Sequence, residues 1–253
     1  MQITFLGTGT STGVPAIGCD CQVCRSEDPR DSRRRTSALV SIGRQRLLID
    51  CGPDFRQQML DEGGPWPDAV LITHSHADHI GGLEDLRPLP ADHSPMPVYC
   101  RHDVASDLRR RLYYCFTDNP YPGIPEFNLI EIKEFTPFHV GETEVMPLAV
   151  MHGKLPILGY RIGPLAYITD CSTLPEQTLE MLHGVDTLVI NALRFKEHHS
   201  HMNLQQALDV INIVKPRRSY LIHMSHSIGL HRLTSLTLPE GVHLAYDGLT
   251  VEI

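Results

Sequence analysis

The sequence lacks several features that would mark particular classes of protein. It holds one Trp among 253 residues, and 30 Asp and Glu outnumber 22 Lys and Arg, for a net charge of −8 with neutral His. A nucleic-acid-binding surface is usually basic, so this balance disfavours nucleic acid as a partner. The sequence has no apolar run of the roughly 18 residues that a membrane helix needs. The first residues carry no signal-peptide pattern, and we expect a cytoplasmic protein without membrane contact.

Histidine and cysteine are the residues that stand out. The chain has 15 His and 7 Cys. Disulfide frameworks belong mainly to short secreted chains, and this chain has an odd number of Cys and is not short. Cys19, Cys21 and Cys24 form a Cys-x-Cys-x-x-Cys motif. We therefore interpret the clustered Cys and His as metal ligands in a reducing compartment.

Short apolar runs bounded by turn residues predict many short strands with helices between some of them. Strands are predicted at 3–6, 38–42, 46–50, 69–72, 144–148, 157–162, 166–169, 187–190 and 220–222, and helices at 53–60, 101–115, 175–183 and 204–214. Residues 119–127 hold three prolines and predict an irregular loop or lid. This order of elements predicts an α/β fold (α+β in some schemes) with packed layers. Without repeats or a linker, residues 1–253 are predicted to form a single domain.

The strongest local motif is His74-x-His76-x-Asp78-His79, directly after the predicted strand at 69–72. Residues two apart on an extended strand end face the same way, so His74 and His76 can hold one ion. Asp78 and His79, in the following turn, are free to face a second ion. Imidazole and carboxylate groups suit Zn²⁺ or Mn²⁺, so the motif predicts a dinuclear metal site.

Further candidate ligands stand at or after the ends of other strand-like runs. They are His152, Asp170 and His223. Active sites often collect residues from several strand ends on one rim. A carboxylate such as Asp170 can bridge two cations and hold them about 3.5–4 Å apart.

With these motifs the chain resembles the metallo-β-lactamase superfamily and, within it, the PhnP-type phosphoribosyl 1,2-cyclic phosphate phosphodiesterases. The resemblance extends from Phe5-Leu6-Gly7-Thr8-Gly9 to Ala245-Tyr246-Asp247-Gly248. It implies a four-layer αββα sandwich with the site on one rim. The first ion would then be held by His74, His76 and His152. The second ion would be held by Asp78, His79 and His223, with Asp170 as the bridge. Asp50 falls where the superfamily has an Asp that orients a ligand imidazole.

The Cys motif predicts a separate structural Zn²⁺ site. A tetrahedral site needs a fourth ligand beside Cys19, Cys21 and Cys24. His226, three residues after His223, is the natural candidate, and the resemblance implies the same residue. One ion there would connect the N-terminal segment to the C-terminal half of the chain.

The expected activity is that of a metal-dependent phosphodiesterase, a hydrolase acting on phosphoric diester bonds. Two divalent cations, Mn²⁺ or Zn²⁺, make a bridging hydroxide at neutral pH and hold the oxygens of a phosphoryl group. The departing alkoxide needs a proton. The resemblance implies that His201 supplies it, and we place Asp78 beside His201 among the catalytic residues. The substrate class is a small cyclic phosphodiester of the phosphoribosyl 1,2-cyclic phosphate type.

Two alternatives remain open at this point. A tRNase Z-like ribonuclease would carry a long flexible arm for tRNA, and the sequence has no basic or Gly/Pro-rich insertion to form one. A PqqB-like carrier or accessory protein would share the Cys-rich zinc site, but the intact set of seven ligands favours catalysis. The physiological substrate, the identity of the catalytic metals, a homodimeric state and the roles of His198 and His199 also stay open.

Overall fold

Fourteen strands form two seven-stranded mixed sheets in the computed structural model, which describes residues 1–87, 94–117 and 123–253. The first sheet contains β1 (Gln2–Gly7), β2 (Ser37–Ile42), β3 (Gln45–Ile49), β4 (Ala69–Leu71), β5 (Met96–Cys100), β6 (Phe127–Glu131) and β14 (Thr250–Glu252). The second contains β7 (Phe138–Val140), β8 (Thr143–His152), β9 (Leu155–Ile162), β10 (Leu165–Ile168), β11 (Thr187–Asn191), β12 (Arg218–Ile222) and β13 (Val242–Leu244). Their orders are β14-β1-β2-β3-β4-β5-β6 and β13-β12-β11-β10-β9-β8-β7.

Each sheet is antiparallel in one half and parallel in the other. In the first sheet the pairs from β14 to β3 are antiparallel and those from β3 to β6 are parallel. In the second sheet β7 to β10 pair antiparallel and β10 to β13 pair parallel. Parallel strands place their carboxyl ends at one edge of a sheet, where ligand sites of α/β proteins commonly lie. The residues that follow β3, β4, β10 and β12 therefore collect at such edges.

Three hydrophobic layers hold the sheets and helices together. Apolar side chains from the two sheets, among them Phe5 and Tyr160, form the layer between them. The helices α1 (Phe55–Glu62), α2 (Ala77–Ile80) and α3 (His102–Arg111) pack on the first sheet. The helices α4 (Glu176–Leu182) and α5 (Leu204–Val214) pack on the second, and α6 (His231–Ser235) follows β12. The arrangement confirms the expected four-layer αββα sandwich.

Helix α5 begins where the sequence predicts. Asn203 accepts a hydrogen bond from the backbone N–H of Gln206 at 2.9 Å, and the Gln206 side chain accepts one from the backbone N–H of Asn203 at 2.9 Å. This capping box satisfies backbone donors that the first turn of a helix leaves free. It also fixes the backbone two residues after His201.

Some elements differ from the sequence expectation. The predicted helix at 101–115 ends at Arg111 and is followed by a short 3₁₀ turn, Tyr113–Phe116. Of the predicted lid at 119–127, residues 119–122 lie outside the described residues, and β6 begins at Phe127. The sequence patterns did not predict five of the strands, namely β5, β6, β7, β13 and β14. Within the described part of the chain, no helix combines the length and apolarity required to span a bilayer.

Candidate metal centre

Three acidic or imidazole side chains are placed by an unusual backbone conformation. Asp50 directly follows β3, His223 directly follows β12, and Asp170 lies two residues after β10. Their φ angles are 60°, 54° and 52°, in the left-handed region that non-glycine residues seldom occupy. A strained conformation of this kind persists only where the surrounding structure enforces it, and such residues are common at functional sites. The chain thus turns sharply at three strand ends and brings these side chains to one place.

The first expected ligand group is assembled. The ligand atoms of His74, His76 and His152 all lie within 4.8 Å of one another. His74 is three residues beyond the strand β4, His76 immediately precedes α2, and His152 is the last residue of β8. The ring centroids of His74 and His76 are 4.5 Å apart, as expected for two side chains that face the same way from one strand end.

The second expected ligand group lies beside the first. Asp78, His79, Asp170 and His223 also have ligand atoms within 4.8 Å of one another. Asp78 and His79 are in α2, a four-residue helix where the sequence analysis placed a turn. Asp170 Oδ1 is 3.3 Å from His79 Nε2 and 3.2 Å from His223 Nε2. The other oxygen of Asp170, Oδ2, is 3.8 Å from His74 Nε2. Asp170 therefore turns one oxygen to each group.

The donors fit divalent cations. Among the described residues, the Nε2 atoms of His74, His79 and His223 are buried and have no hydrogen-bond partner. Buried polar atoms without a partner are rare in proteins, and a metal ion is one of the accepted explanations. Imidazole nitrogen and carboxylate oxygen are the usual ligands of zinc and of related divalent metals.

The charges in the centre suit ligands. Burial opposes ionisation of Asp170, but the facing imidazoles of His223 and His79 outweigh burial and hold the pKa of Asp170 well below its usual value. Burial, followed by the charge of neighbouring His79, lowers the pKa of His74 well below its usual value. A carboxylate and a neutral imidazole are the protonation states that bind metal ions.

Asp50 lies under the centre and holds two of its imidazoles. His79 Nδ1–H donates to Asp50 Oδ2 at 2.7 Å. The Thr73 backbone N–H donates to Asp50 Oδ1 at 2.8 Å and its hydroxyl to Oδ2 at 2.9 Å. The same hydroxyl lies 3.0 Å from His74 Nδ1, which donates to it. With Nδ1 engaged, both rings present Nε2 to the centre, as metal-binding histidines do.

His201 lies at the same rim. Its Nε2 is 3.3 Å from Asp170 Oδ2, and its ring is 5.0 Å from that of His223 and stacked on it. Burial lowers the pKa of His201 to about 4, although Asp170 opposes the shift. Its Nδ1 faces His198 Nδ1 at 3.2 Å. The structure thus brings the expected proton donor to the expected metal ligands.

Sequence reasoning missed the residues that orient the ligands. Thr73 links Asp50 to His74, and the backbone carbonyl of Ser200 accepts from His152 Nδ1–H at 2.8 Å. Thr73 adjoins the histidine motif and could have been noticed there. A contact through the Ser200 carbonyl has no side-chain signature in the sequence.

The cysteine group is assembled as a second, separate cluster. His226 Nδ1 is 3.2 Å from Cys19 Sγ, 3.6 Å from Cys21 Sγ and 3.3 Å from Cys24 Sγ. The four ligand atoms all lie within 4.8 Å of one another, and the seven described cysteines are free thiols. Three thiols and one imidazole around a common point match a structural zinc site.

The αββα sandwich, with clustered His and Asp side chains at the ends of its strands, defines a protein of the metallo-β-lactamase fold with a candidate centre for divalent metal. Comparison with known sequences agrees with this class. The chain belongs to the beta-lactamase superfamily domain family, whose model matches residues 45–224.

Similar proteins carry several different names. A protein of Porphyromonas gingivalis named octanoyltransferase is 49% identical over 251 residues, which are 98% of this chain and 51% of that protein. This chain therefore spans about half the length of that relative. Coenzyme PQQ synthesis protein B of Methylobacterium nodulans is 28% identical over 227 residues, covering 76% of this chain and 72% of that protein.

Solved structures show the same fold. A crystal structure described as a new diphosphatase from the PhnP family matches with a TM-score of 0.92 and 38% identity over 99% of this chain and 96% of that chain. Human tRNase Z, short form, matches with a TM-score of 0.73 and 19% identity over 100% and 99% of the two chains. The second likeness concerns the fold alone.

Proposed function

We propose that this protein is a metal-dependent phosphodiesterase that hydrolyses small phosphodiesters such as ribosyl 1,2-cyclic phosphates. The observation that carries the proposal is the position of Asp170, whose two oxygens face the two ligand groups at 3.2–3.3 Å and 3.8 Å. That arrangement suits a pair of cations, which is a common device for displacement at phosphorus. The similarity to a PhnP-family diphosphatase supports chemistry at phosphorus.

The seven expected ligands would hold two divalent cations, Zn²⁺ or Mn²⁺. The cysteine group would hold one Zn²⁺. When bound in the centre, a pair of cations supplies an activated water and stabilises the oxygens of the phosphoryl group. Asp50 and Thr73 keep the imidazoles of His79 and His74 turned toward the centre.

His201 and Asp78 would carry the remaining catalytic work. A water oxygen forms the new bond to phosphorus, the bond to the departing oxygen breaks, and its electron pair stays on that oxygen. His201 Nε2, at the rim beside Asp170, would give the departing oxygen its proton from the imidazolium form of the ring. Asp78 Oδ2 lies 3.3 Å from His79 Nε2 and 3.7 Å from His223 Nε2. Its carboxylate would supply negative charge to the second ligand group.

A small substrate fits the charge of the chain better than a nucleic acid does. The net charge is −8, and phosphate backbones are bound chiefly by Lys and Arg. Free thiols at Cys19, Cys21 and Cys24 need a reducing compartment to remain metal ligands, which supports a cytoplasmic location.

Hydrolysis of a diphosphate bond is a second candidate activity. The observation that favours it is the 38% identity to a protein described as a diphosphatase. A phosphoric diester and a phosphoric anhydride present similar oxygens to a pair of cations, so one centre could accept either. The name octanoyltransferase does not bear on this centre, because the relative that carries it is about twice the length of this chain.

A substrate panel tests the proposal. The protein is stripped with a chelator, reloaded with Mn²⁺ or Zn²⁺, and assayed on bis-p-nitrophenyl phosphate, ribosyl cyclic phosphates and a dinucleoside diphosphate. We expect turnover that disappears with chelation and returns with metal. A metal-loaded protein inert toward all three classes would refute it and would favour a PqqB-like carrier role. Preferential cleavage of precursor tRNA would favour the ribonuclease alternative.

A further inference from the structure

His198, Ser200 and His201 form a hydrogen-bonded group beside the metal ligands. His201 Nδ1 lies 3.2 Å from His198 Nδ1 and 3.0 Å from the Ser200 hydroxyl oxygen. The same hydroxyl is 3.3 Å from His198 Nδ1. His198 is thus joined to the expected proton donor directly and through one hydroxyl.

The direction of these hydrogen bonds follows from the backbone. The Ser200 backbone N–H donates to His198 Nδ1 at 3.4 Å, so this nitrogen is an acceptor. Two facing Nδ1 atoms need one proton between them, which His201 must then provide. His201 Nδ1–H therefore donates to His198, and the other ring nitrogen, Nε2, faces the centre beside Asp170.

The rest of the segment is already fixed by backbone contacts. The Ser200 carbonyl accepts from His152 at 2.8 Å, and the Met202 N–H donates to the Cys171 carbonyl at 2.6 Å. These contacts hold the main chain on both sides of His201 but leave rotation of its ring to the side-chain partners. The acceptor at Nδ1 is His198, assisted by the Ser200 hydroxyl.

We propose that His198 is a positioning residue that accepts from His201 Nδ1–H and so holds the Nε2 of His201 toward the departing oxygen. The proposal rests on the proposed hydrolysis of phosphodiesters. Reacting groups must stand within a small angle of the productive geometry, and a ring held at one nitrogen meets that requirement.

Leaving-group dependence separates this role from a merely structural one. p-Nitrophenolate departs as a stable anion, whereas the alkoxide released from a ribosyl cyclic phosphate needs a proton. For His198→Ala, reloaded with Zn²⁺, we expect kcat on the cyclic phosphate to fall roughly 10²-fold, the lower end of a general-acid contribution. KM should stay unchanged, and kcat on bis-p-nitrophenyl phosphate should change less than about threefold, since that product needs no proton donor.

Two further variants sharpen the kinetic test. His198→Asn places an amide oxygen near the original Nδ1 and should recover most of the loss on the cyclic phosphate. His199→Ala changes the neighbouring exposed imidazole and should match the wild type on both substrates. An equal loss on both substrates for His198→Ala, or no loss on either, would overturn the proposal.

Histidine ¹⁵N NMR of the Zn²⁺-loaded protein gives a test that needs no substrate. The His201 Nδ1 resonance should be that of a protonated nitrogen in the wild type and should shift in His198→Ala. A wild-type His201 without a proton on Nδ1 would overturn the proposal. A wild type inert toward phosphodiesters would refute the proposed function alone, because the NMR result would still decide the role of His198.

Discussion

Asp50 Oδ2 lies 2.7 Å from Nδ1 of His79, and both side chains are wholly buried. No other described contact fixes the His79 ring at Nδ1. Because the carboxylate also accepts from Thr73, which receives His74 Nδ1–H, one side chain orients a histidine of each ligand group. Asp50 should therefore control metal affinity without touching a metal ion.

Asp50→Asn should weaken metal binding about 10- to 100-fold, the usual effect of losing a partner that orients a ligand histidine. The amide keeps the size of the side chain but removes the carboxylate charge that faces the imidazole. Titration against a chromophoric chelator measures the change. Asp186→Asn is the control and should bind metal normally. Asp186 directly precedes β11, at the end of that strand opposite to the metal centre. Equal affinities for Asp50→Asn and the wild type would exclude the orienting role.

Asp170→Ala should reduce phosphodiester hydrolysis more than about 100-fold, beyond what loss of a positioning partner alone costs. The reason is that both ligand groups lose their shared carboxylate. Metal analysis should find the zinc of the cysteine group retained and the centre depleted, and circular dichroism should show an intact fold. Near-normal turnover would remove Asp170 from the site.

Cys21→Ser should lower stability more than it lowers the rate of the protein that remains folded. A zinc ion there joins segments 202 residues apart, and a ligand lost from such a site weakens the link. We expect Tm to fall by at least about 5 °C, equivalent to about 2 kcal/mol for a chain of this size. Cys115→Ser, which changes a half-buried thiol in the 3₁₀ turn, is the control. An unchanged Tm and zinc content in Cys21→Ser would rule out the structural zinc site.

Acid should destabilise the protein partly through His231. Burial and then the Arg33 and Arg30 guanidinium groups lower the pKa of His231 from 6.5 to about 4, against the opposing charges of Asp28 and Asp31. Between pH 6.5 and 4 the unfolded chain takes up a proton at this residue that the folded protein does not. The free energy of unfolding therefore falls as the pH falls through that window.

His231→Gln removes this titration and should show a smaller loss of stability between pH 7 and 4.5. Urea unfolding at several pH values measures the free energy of unfolding of the variant and the wild type. His139→Gln, an exposed residue of β7, is the control and should follow the wild type. Parallel curves for His231→Gln and the wild type would contradict the assignment.

Local patterns predicted much of the fold and the side chains that the structure brings together in the candidate centre, and non-local contacts account for what they missed. The His-x-His-x-Asp-His motif can be recognised in the sequence as a set of candidate metal ligands because its members are neighbours in the chain. The three residues of β14 carry no such pattern and become a strand only by pairing with β1, where Gln2 faces Glu252. In β5, Pro97 weakens the strand signal that its neighbours would give. Ser200 orients His152 through a carbonyl, which every residue type possesses.

The left-handed backbone at Asp50, Asp170 and His223 has a consequence for how the protein tolerates change. Each such residue costs about 1–2 kcal/mol relative to an unstrained conformation, a cost that glycine would avoid. Glycine at these three positions would relax the main chain while destroying the metal centre. A screen for thermal resistance alone would thus drift toward a sturdier, inactive protein. Improved variants of this scaffold should be selected with the metal ions bound, which favours the folded form that holds them.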